Sequence, residues 1–180
     1  MAQQISFDRE ILRWITKNEA DTHPTTTPVA NLMLPAQGYA VAMVRRGDDL
    51  SDLEAAMQEV NPGARVVRLE APESGNADAR FRTFLDQLLE VAGLGPLSEG
   101  ADLEQAQAAL PGLLYPLVDF LVIDAAERLP VPSLHALRRH KSMPPTILIS
   151  YDTEFLGTLS REILLMRNVY FFQTEAGPAY

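Results

Sequence analysis

The stretch Asp119-Phe120-Leu121-Val122-Ile123-Asp124-Ala125-Ala126-Glu127-Arg128-Leu129 decides how the rest of this 180-residue chain is read. Phe120 to Ile123 is a short, continuous apolar run, which is how a strand covered on both faces reads in sequence. Asp124 stands at its carboxyl end. Four further runs share the character: Ala40-Val41-Ala42-Met43-Val44, Arg65 to Leu69, Thr146 to Ser150 and Val169 to Phe172. Helical patterns separate them. Ser51-Asp52-Leu53-Glu54 has the form of a capping box, opening a helix with Leu53, Met57 and Val60 that stops at Asn61-Pro62-Gly63. Asn76 caps a helix carrying Phe81, Phe84, Leu85, Leu88 and Ala92, ended by Gly93 and Gly95. Asp102 caps another, with Leu103, Ala106 and Leu110 facing inward. A short helix around Leu134 to Arg139 and one through Phe155, Leu159 and Ile163 complete the set.

Apolar strands alternating with helices imply a three-layer α/β/α domain with a five-stranded, mainly parallel sheet. In such sheets ligands sit at the carboxyl ends of the strands. The candidate site is therefore where Arg45–Asp49, Asp124–Glu127 and Ser150–Asp152 meet. Ahead of the core, residues 39–172, lies a lead of residues 1–38. Ser6 precedes an amphipathic helix with Phe7, Ile11, Trp14 and Ile15 on one face. Asp21-Thr22-His23-Pro24-Thr25-Thr26-Thr27-Pro28 then reads as an extended connector, because each proline biases its predecessor away from helix.

The length fits one domain, residues 1–180, with room for a sizeable core. There is no cysteine, so disulfides, thiolate metal sites and thiol catalysis are excluded. With 24 Asp+Glu against 15 Lys+Arg the net charge is −9, which opposes a surface that tracks nucleic acid everywhere but leaves room for a local basic patch. Met1-Ala2-Gln3-Gln4 has no basic, then apolar, signal pattern. The most apolar stretch, Leu113 to Ile123, is interrupted by Pro116 and Asp119 and is too short to span a bilayer. A cytoplasmic, soluble protein is expected. Only two of the basic residues are lysines, Lys17 and Lys141.

Asp119–Leu129 looks like a Walker B strand. With Leu134 to Arg139, Pro145 to Ser150 and Arg161 to Phe172 after it, the segment resembles the second half of an AAA+ ATPase core. Upstream, Phe84-Leu85-Asp86-Gln87-Leu88-Leu89-Glu90-Val91-Ala92-Gly93-Leu94-Gly95-Pro96 is similar to the helix before Walker B in the TniB/TnsC type of transposition ATPase, and the Pro28 to Pro35 lead-in looks like that family too. The resemblance covers roughly residues 28 to 172, by order and spacing of elements. It implies an AAA+ core without the C-terminal helical lid, since eight residues follow the last strand. A second resemblance is to the response-regulator receiver domain, with Asp48-Asp49 after the first strand, Asp124 ending a central one and Ser150 ending the next. Against it stand a fifty-residue connection, 70 to 119, the absence of lysine after the last strand, where Gln173 and Thr174 occur, and the long lead. Strand order separates the two. The first strand lies between the last and the fourth in AAA+ cores, but second in a receiver sheet.

A phosphate-binding loop needs inward-turned amides, a Lys on the β/γ-phosphates and a Ser/Thr on Mg²⁺. The AAA+ resemblance would place it at Arg45-Arg46-Gly47-Asp48-Asp49-Leu50-Ser51-Asp52, where neither lysine occurs and three carboxylates would repel a triphosphate. Asp124 matches the Walker B aspartate, but Ala125 stands where that family has its water-activating Glu, and Glu127 lies too far along. Ser150 occupies the polar sensor position and Arg167 resembles an arginine finger. As ordinary structure, Asp124 is a hydrogen-bonded strand end, Ser150 a cap and Arg167 a helix-terminal cation. Arg45, Arg46, Gly47, Asp124, Glu127, Ser150 and Arg167 are thus the positions of a degenerate nucleotide site, with no catalytic residue, metal or cofactor. His23, His135 and His140 are too scattered for a metal. The one basic concentration is Arg138-Arg139-His140-Lys141; the resemblance would turn Arg138, Arg139 and Lys141 toward DNA, while a solvated helix C-terminus is the plain alternative. The expected function is a catalytically inactive AAA+-like module, monomeric or a small oligomer, acting through a protein partner, with nucleic acid as a further partner, in a transposition, replication or mobile-element assembly. The alternative is a pseudo-receiver-like signalling or interaction domain.

Overall fold

The computed structural model describes residues 2–16, 39–97, 100, 102–138, 143–163 and 169–172. Their elements are α1 (Arg9–Thr16), β1 (Tyr39–Met43), α2 (Ser51–Val60), β2 (Val66–Glu70), α3 (Ala77–Val91), α4 (Leu103–Leu114), β3 (Phe120–Asp124), a 3₁₀ turn (Ala126–Arg128), α5 (Val131–Arg138), β4 (Thr146–Ser150), α6 (Thr153–Ile163) and β5 (Val169–Phe171). The lead-in through Pro28 to Pro35 and everything after Phe172, where a lid would begin, lie outside the described residues.

The strands form one sheet in the order β2-β3-β4-β1-β5, and every neighbouring pair is parallel. Four strands have five residues each; β5 contributes three at the edge. β1 lies between β4 and β5, the AAA+ arrangement. A receiver sheet would put β1 between β2 and β3, so the sheet is not that of a receiver. Register aligns the carboxyl ends: Met43 is level with Ser150, and Glu70 with Asp124.

Alternation along the strands divides the core in two. Val41, Leu121, Ile123 and Leu148 point into a layer formed by Phe84, Leu85 and Leu88 of α3, Leu110 and Leu114 of α4, Leu134 of α5 and Leu159 of α6. Ala40, Ala42, Phe120, Val122, Ile147 and Ile149 point the other way, onto Leu12 and Ile15 of α1 and Leu53 and Met57 of α2. The central strands are apolar on both sides because a helix layer covers each side.

Two caps form as the sequence implies. Asn76 Oδ1 accepts from the Ala79 N–H and Asp102 Oδ1 from the Glu104 N–H, each at 2.9 Å. The Ser51 capping box does not form. Leu50 is the N-cap residue and Ser51 lies inside the helix, its N–H donating to Asp49 Oδ1 at 2.9 Å. At α1 the helix begins at Arg9 rather than just after Ser6, and Asp8 Oδ1 takes the Glu10 N–H at 2.9 Å. Phe7 therefore belongs to an extended segment, yet it is fully buried.

Candidate functional site

At the end of β3 the chain reverses through Ala125, a buried residue in the left-handed conformation (φ 53°, ψ 44°). That conformation costs a non-glycine residue roughly 1–2 kcal/mol. The reversal runs into the 3₁₀ turn and swings Glu127 back over the strand ends, where its Oε2 accepts from the Tyr151 N–H at 3.4 Å. Glu127, three positions past Asp124, comes back to the site through this unusual turn at Ala125.

Both oxygens of Asp124 are engaged. Oδ2 pairs with Arg68 Nη2 at 2.8 Å, and Oδ1 accepts from the Tyr151 hydroxyl at 2.8 Å. Burial, and then the bond to Asp124, push the Tyr151 phenol up to about 12. The Arg46 guanidinium lies 4.7 Å from the centre of the Tyr151 ring, a cation–π contact. Next to this group Arg128 pairs with Glu70 at 3.0 Å and donates to the Ala71 carbonyl at 2.9 Å. Arg68 escapes a reading of the sequence as a string, while Tyr151 falls inside the expected Ser150–Asp152 segment without being singled out there. A charged residue inside an otherwise apolar strand is the one available signal for Arg68, and it names no partner until β2 and β3 are known to be adjacent.

The β1–α2 connection makes a four-residue turn closed by the Asp48 N–H on the Arg45 carbonyl at 3.1 Å. Gly47 adopts φ 90° there, the left-handed value that glycine tolerates without strain. The three acidic residues that follow are paired, and mostly with the chain's own N-terminal segment. Asp48 accepts from the Gln3 N–H (3.1 Å) and the Arg45 N–H (2.8 Å). Gln4 and Asp49 form a parallel bridge, in which the Asp49 N–H reaches the Gln3 carbonyl at 2.9 Å and the Ile5 N–H the Asp49 carbonyl at 3.0 Å. Asp52 accepts from the Phe7 N–H at 2.8 Å and from Arg9 Nη1 and Nη2 at 2.6 and 2.9 Å. The Arg9 bond holds Asp52 below the usual carboxylate range, and hydrogen bonds from Ser51 do the same for Asp49. The amides of Arg45, Asp48, Asp49, Ser51 and Leu53 are all taken by partners within the chain.

Of the remaining expected residues, Ser150 is fully buried as the last residue of β4, its Oγ 3.2 Å from both the N and the O of Asp152. Arg45 is exposed beside Arg46. Arg167, Arg139 and Lys141 lie outside the described residues, and of Arg138 only the backbone, in α5, is described. His135 is buried in α5, while His23 and His140 are outside. Among the described residues no three His, Cys, Asp or Glu side chains are placed to hold a metal, and no helix is long and apolar enough to cross a membrane. A groove of about 380 Å³ opens at the opposite, amino-terminal ends of the strands, between Thr16, Asn61, Arg65, Tyr115 and Pro145.

No protein-family model and no curated protein matches the sequence. Solved structures match the fold. The ORC1 protein of Aeropyrum pernix in complex with DNA superposes with a TM-score of 0.50 at 14% identity, over 89% of this chain and 49% of that one. Cdc6p from Pyrobaculum aerophilum gives 0.49 at 16%, over 93% and 50%, and the Aeropyrum pernix ORC2 protein 0.48 at 16%, over 86% and 46%. The chain spans about half the length of these three. Sheet order and the ORC1 likeness together give the chain an AAA+ type of α/β fold.

Proposed function

We propose that this chain is a catalytically inactive AAA+-like module, working as a monomer or small oligomer through contacts with a protein partner. One observation carries the reading: the connection that would cradle a triphosphate is closed on residues 3–9 of the same chain. Hydrolysis in this fold needs a P-loop Lys, Mg²⁺ and a water-orienting group. Here the connection carries Asp48, Asp49 and Asp52 and no lysine, Arg68 and Tyr151 fill the Asp124 carboxylate, and Ala125 follows it. The TniB/TnsC-like features favour a transposition, replication or mobile-element assembly as the setting. DNA is the second partner class, supported by the Arg138-Arg139-His140-Lys141 group.

Calorimetry with Mg-ATP and a phosphate-release assay test the reading. Neither heat of binding nor turnover is expected. Micromolar binding together with turnover that disappears in Asp124→Ala would overturn it.

A further inference from the structure

Among the described residues, one margin of the sheet is left open. In β2 the Arg65 carbonyl accepts from the Phe120 N–H and the Ala71 N–H donates to the Asp124 carbonyl, so residues 65, 67, 69 and 71 turn their amides toward β3. Strand alternation then turns the N–H and C=O of Val66, Arg68 and Glu70 outward. Among the described residues these six groups meet no partner. Proteins that protect such an edge use proline, a bulge, a very short strand, charged side chains or a covering element. β2 is five residues long, without proline, in unbroken register with β3, and its two charged side chains, Arg68 and Glu70, are each paired within the chain, with Asp124 and Arg128. The opposite edge, β5, has three residues.

The side chains along the open edge are arranged for a neighbour. Val67 and Leu69 are half-buried against the α3–α4 layer, leaving apolar surface beside the edge. On the other face Arg68 uses Nη2 for Asp124, and its Nε and Nη1 take no part in that bond. Glu70 is bound to Arg128 through Oε1 and is 68% exposed. A strand laid along β2 would extend both features. It would need apolar residues level with Val67 and Leu69, an acidic residue level with Arg68 and a basic one level with Glu70, since opposite charges on neighbouring strands attract.

We propose that the outer edge of β2 is a docking site for an extended segment of a partner protein, in which apolar residues alternate with an acidic and a basic one. A second copy of this chain fits less well: antiparallel pairing about a two-fold axis at Arg68 would set two guanidiniums side by side. The proposal rests on the reading of the chain as a contact module, but its test involves no nucleotide, so either can fail alone.

The probe is the capped peptide Gly-Thr-Val-Glu-Val-Lys-Gly, with the same residues in reverse order as the antiparallel counterpart. Backbone hydrogen exchange of the ¹⁵N-labelled chain is followed by NMR at millimolar peptide. One of the two should slow exchange at Arg68 and Glu70 by about tenfold once its concentration is ten times Kd, leaving Val67 and Leu69 unchanged. Methylating alternate backbone nitrogens of the peptide should abolish the effect without touching the protein. In Glu70→Lys the preference should shift to a peptide with Glu in place of Lys. Unchanged exchange with both peptides, equal slowing by the methylated peptide, or slowing that follows protein concentration alone would each overturn the proposal, the last in favour of self-pairing.

Discussion

Asp52 is the side chain that makes the most hydrogen bonds between the N-terminal segment and α2. It fixes the register of the extended segment through Phe7 N–H and holds Arg9 by both of its terminal nitrogens. Arg9 also reaches Glu59 at 3.0 Å and the Phe7 carbonyl at 2.8 Å, so one guanidinium ties three points together. A charge-assisted bond of this kind contributes about 1.5–3 kcal/mol, and partial exposure puts this pair at the lower end. Asp52→Ala should therefore destabilise the protein by about 2 kcal/mol in urea unfolding, and Asp52→Asn by about 1 kcal/mol. The pH dependence has a definite sign. Because Arg9 depresses the Asp52 pKa in the folded chain, the contribution is full above the ordinary aspartate value and is lost as pH falls through the depressed one. Lowering pH from neutrality into the acid range should thus narrow the stability gap between the native chain and Asp52→Asn. A gap that widens instead would show that the pair does not form.

At the scale of elements, the central strands and most helices were legible because burial on both faces leaves β3 and β4 almost no polar position to confuse the pattern, and because Asn76 and Asp102 are strong caps that work locally. The Ser51 box failed for a local reason too: Asp49, two residues earlier, is better placed to accept the Ser51 N–H. The site was legible only in part. Asp124 is marked by its place at a strand end, and the strand-end rule brings residues 150–152 beside it, but nothing in the linear sequence singles out the Tyr151 hydroxyl or places Arg68 of β2 as its other partner. Glu127 needed a left-handed Ala125, a conformation alanine seldom takes. That turn supports an element-scale prediction. Ala125→Glu, which restores the water-activating residue on paper, places a carboxylate at a position 1% exposed and keeps the unfavourable φ. It should cost more than about 2 kcal/mol in thermal unfolding and yield no phosphate release. A stable variant that hydrolyses ATP would mean that the turn is not what silences the site.

Across the whole molecule the charge is −9, so duplex DNA meets net repulsion except at the Arg138-Arg139-Lys141 group. With about three phosphate contacts, affinity should fall roughly 40-fold between 50 and 200 mM salt. Binding should vanish when the three become alanine. Binding that ignores salt, or survives the triple substitution, would remove this group as the contact. The contact between Phe7 and Phe172 has a consequence of another kind. Their rings meet edge to face at 5.1 Å, and the Phe172 N–H donates to the Val41 carbonyl at 3.0 Å. The second core is thus shut by two residues 165 positions apart. During synthesis at about 5–20 residues per second, Phe7 leaves the ribosome roughly 10–30 s before its partner exists. For that interval Ile5, Phe7 and Leu12 can pack on α2 but lack their final cover. A premature stop between α6 and β5 would fix the chain in this state, so such fragments should be targets for chaperones and proteases even though every described helix has already been made.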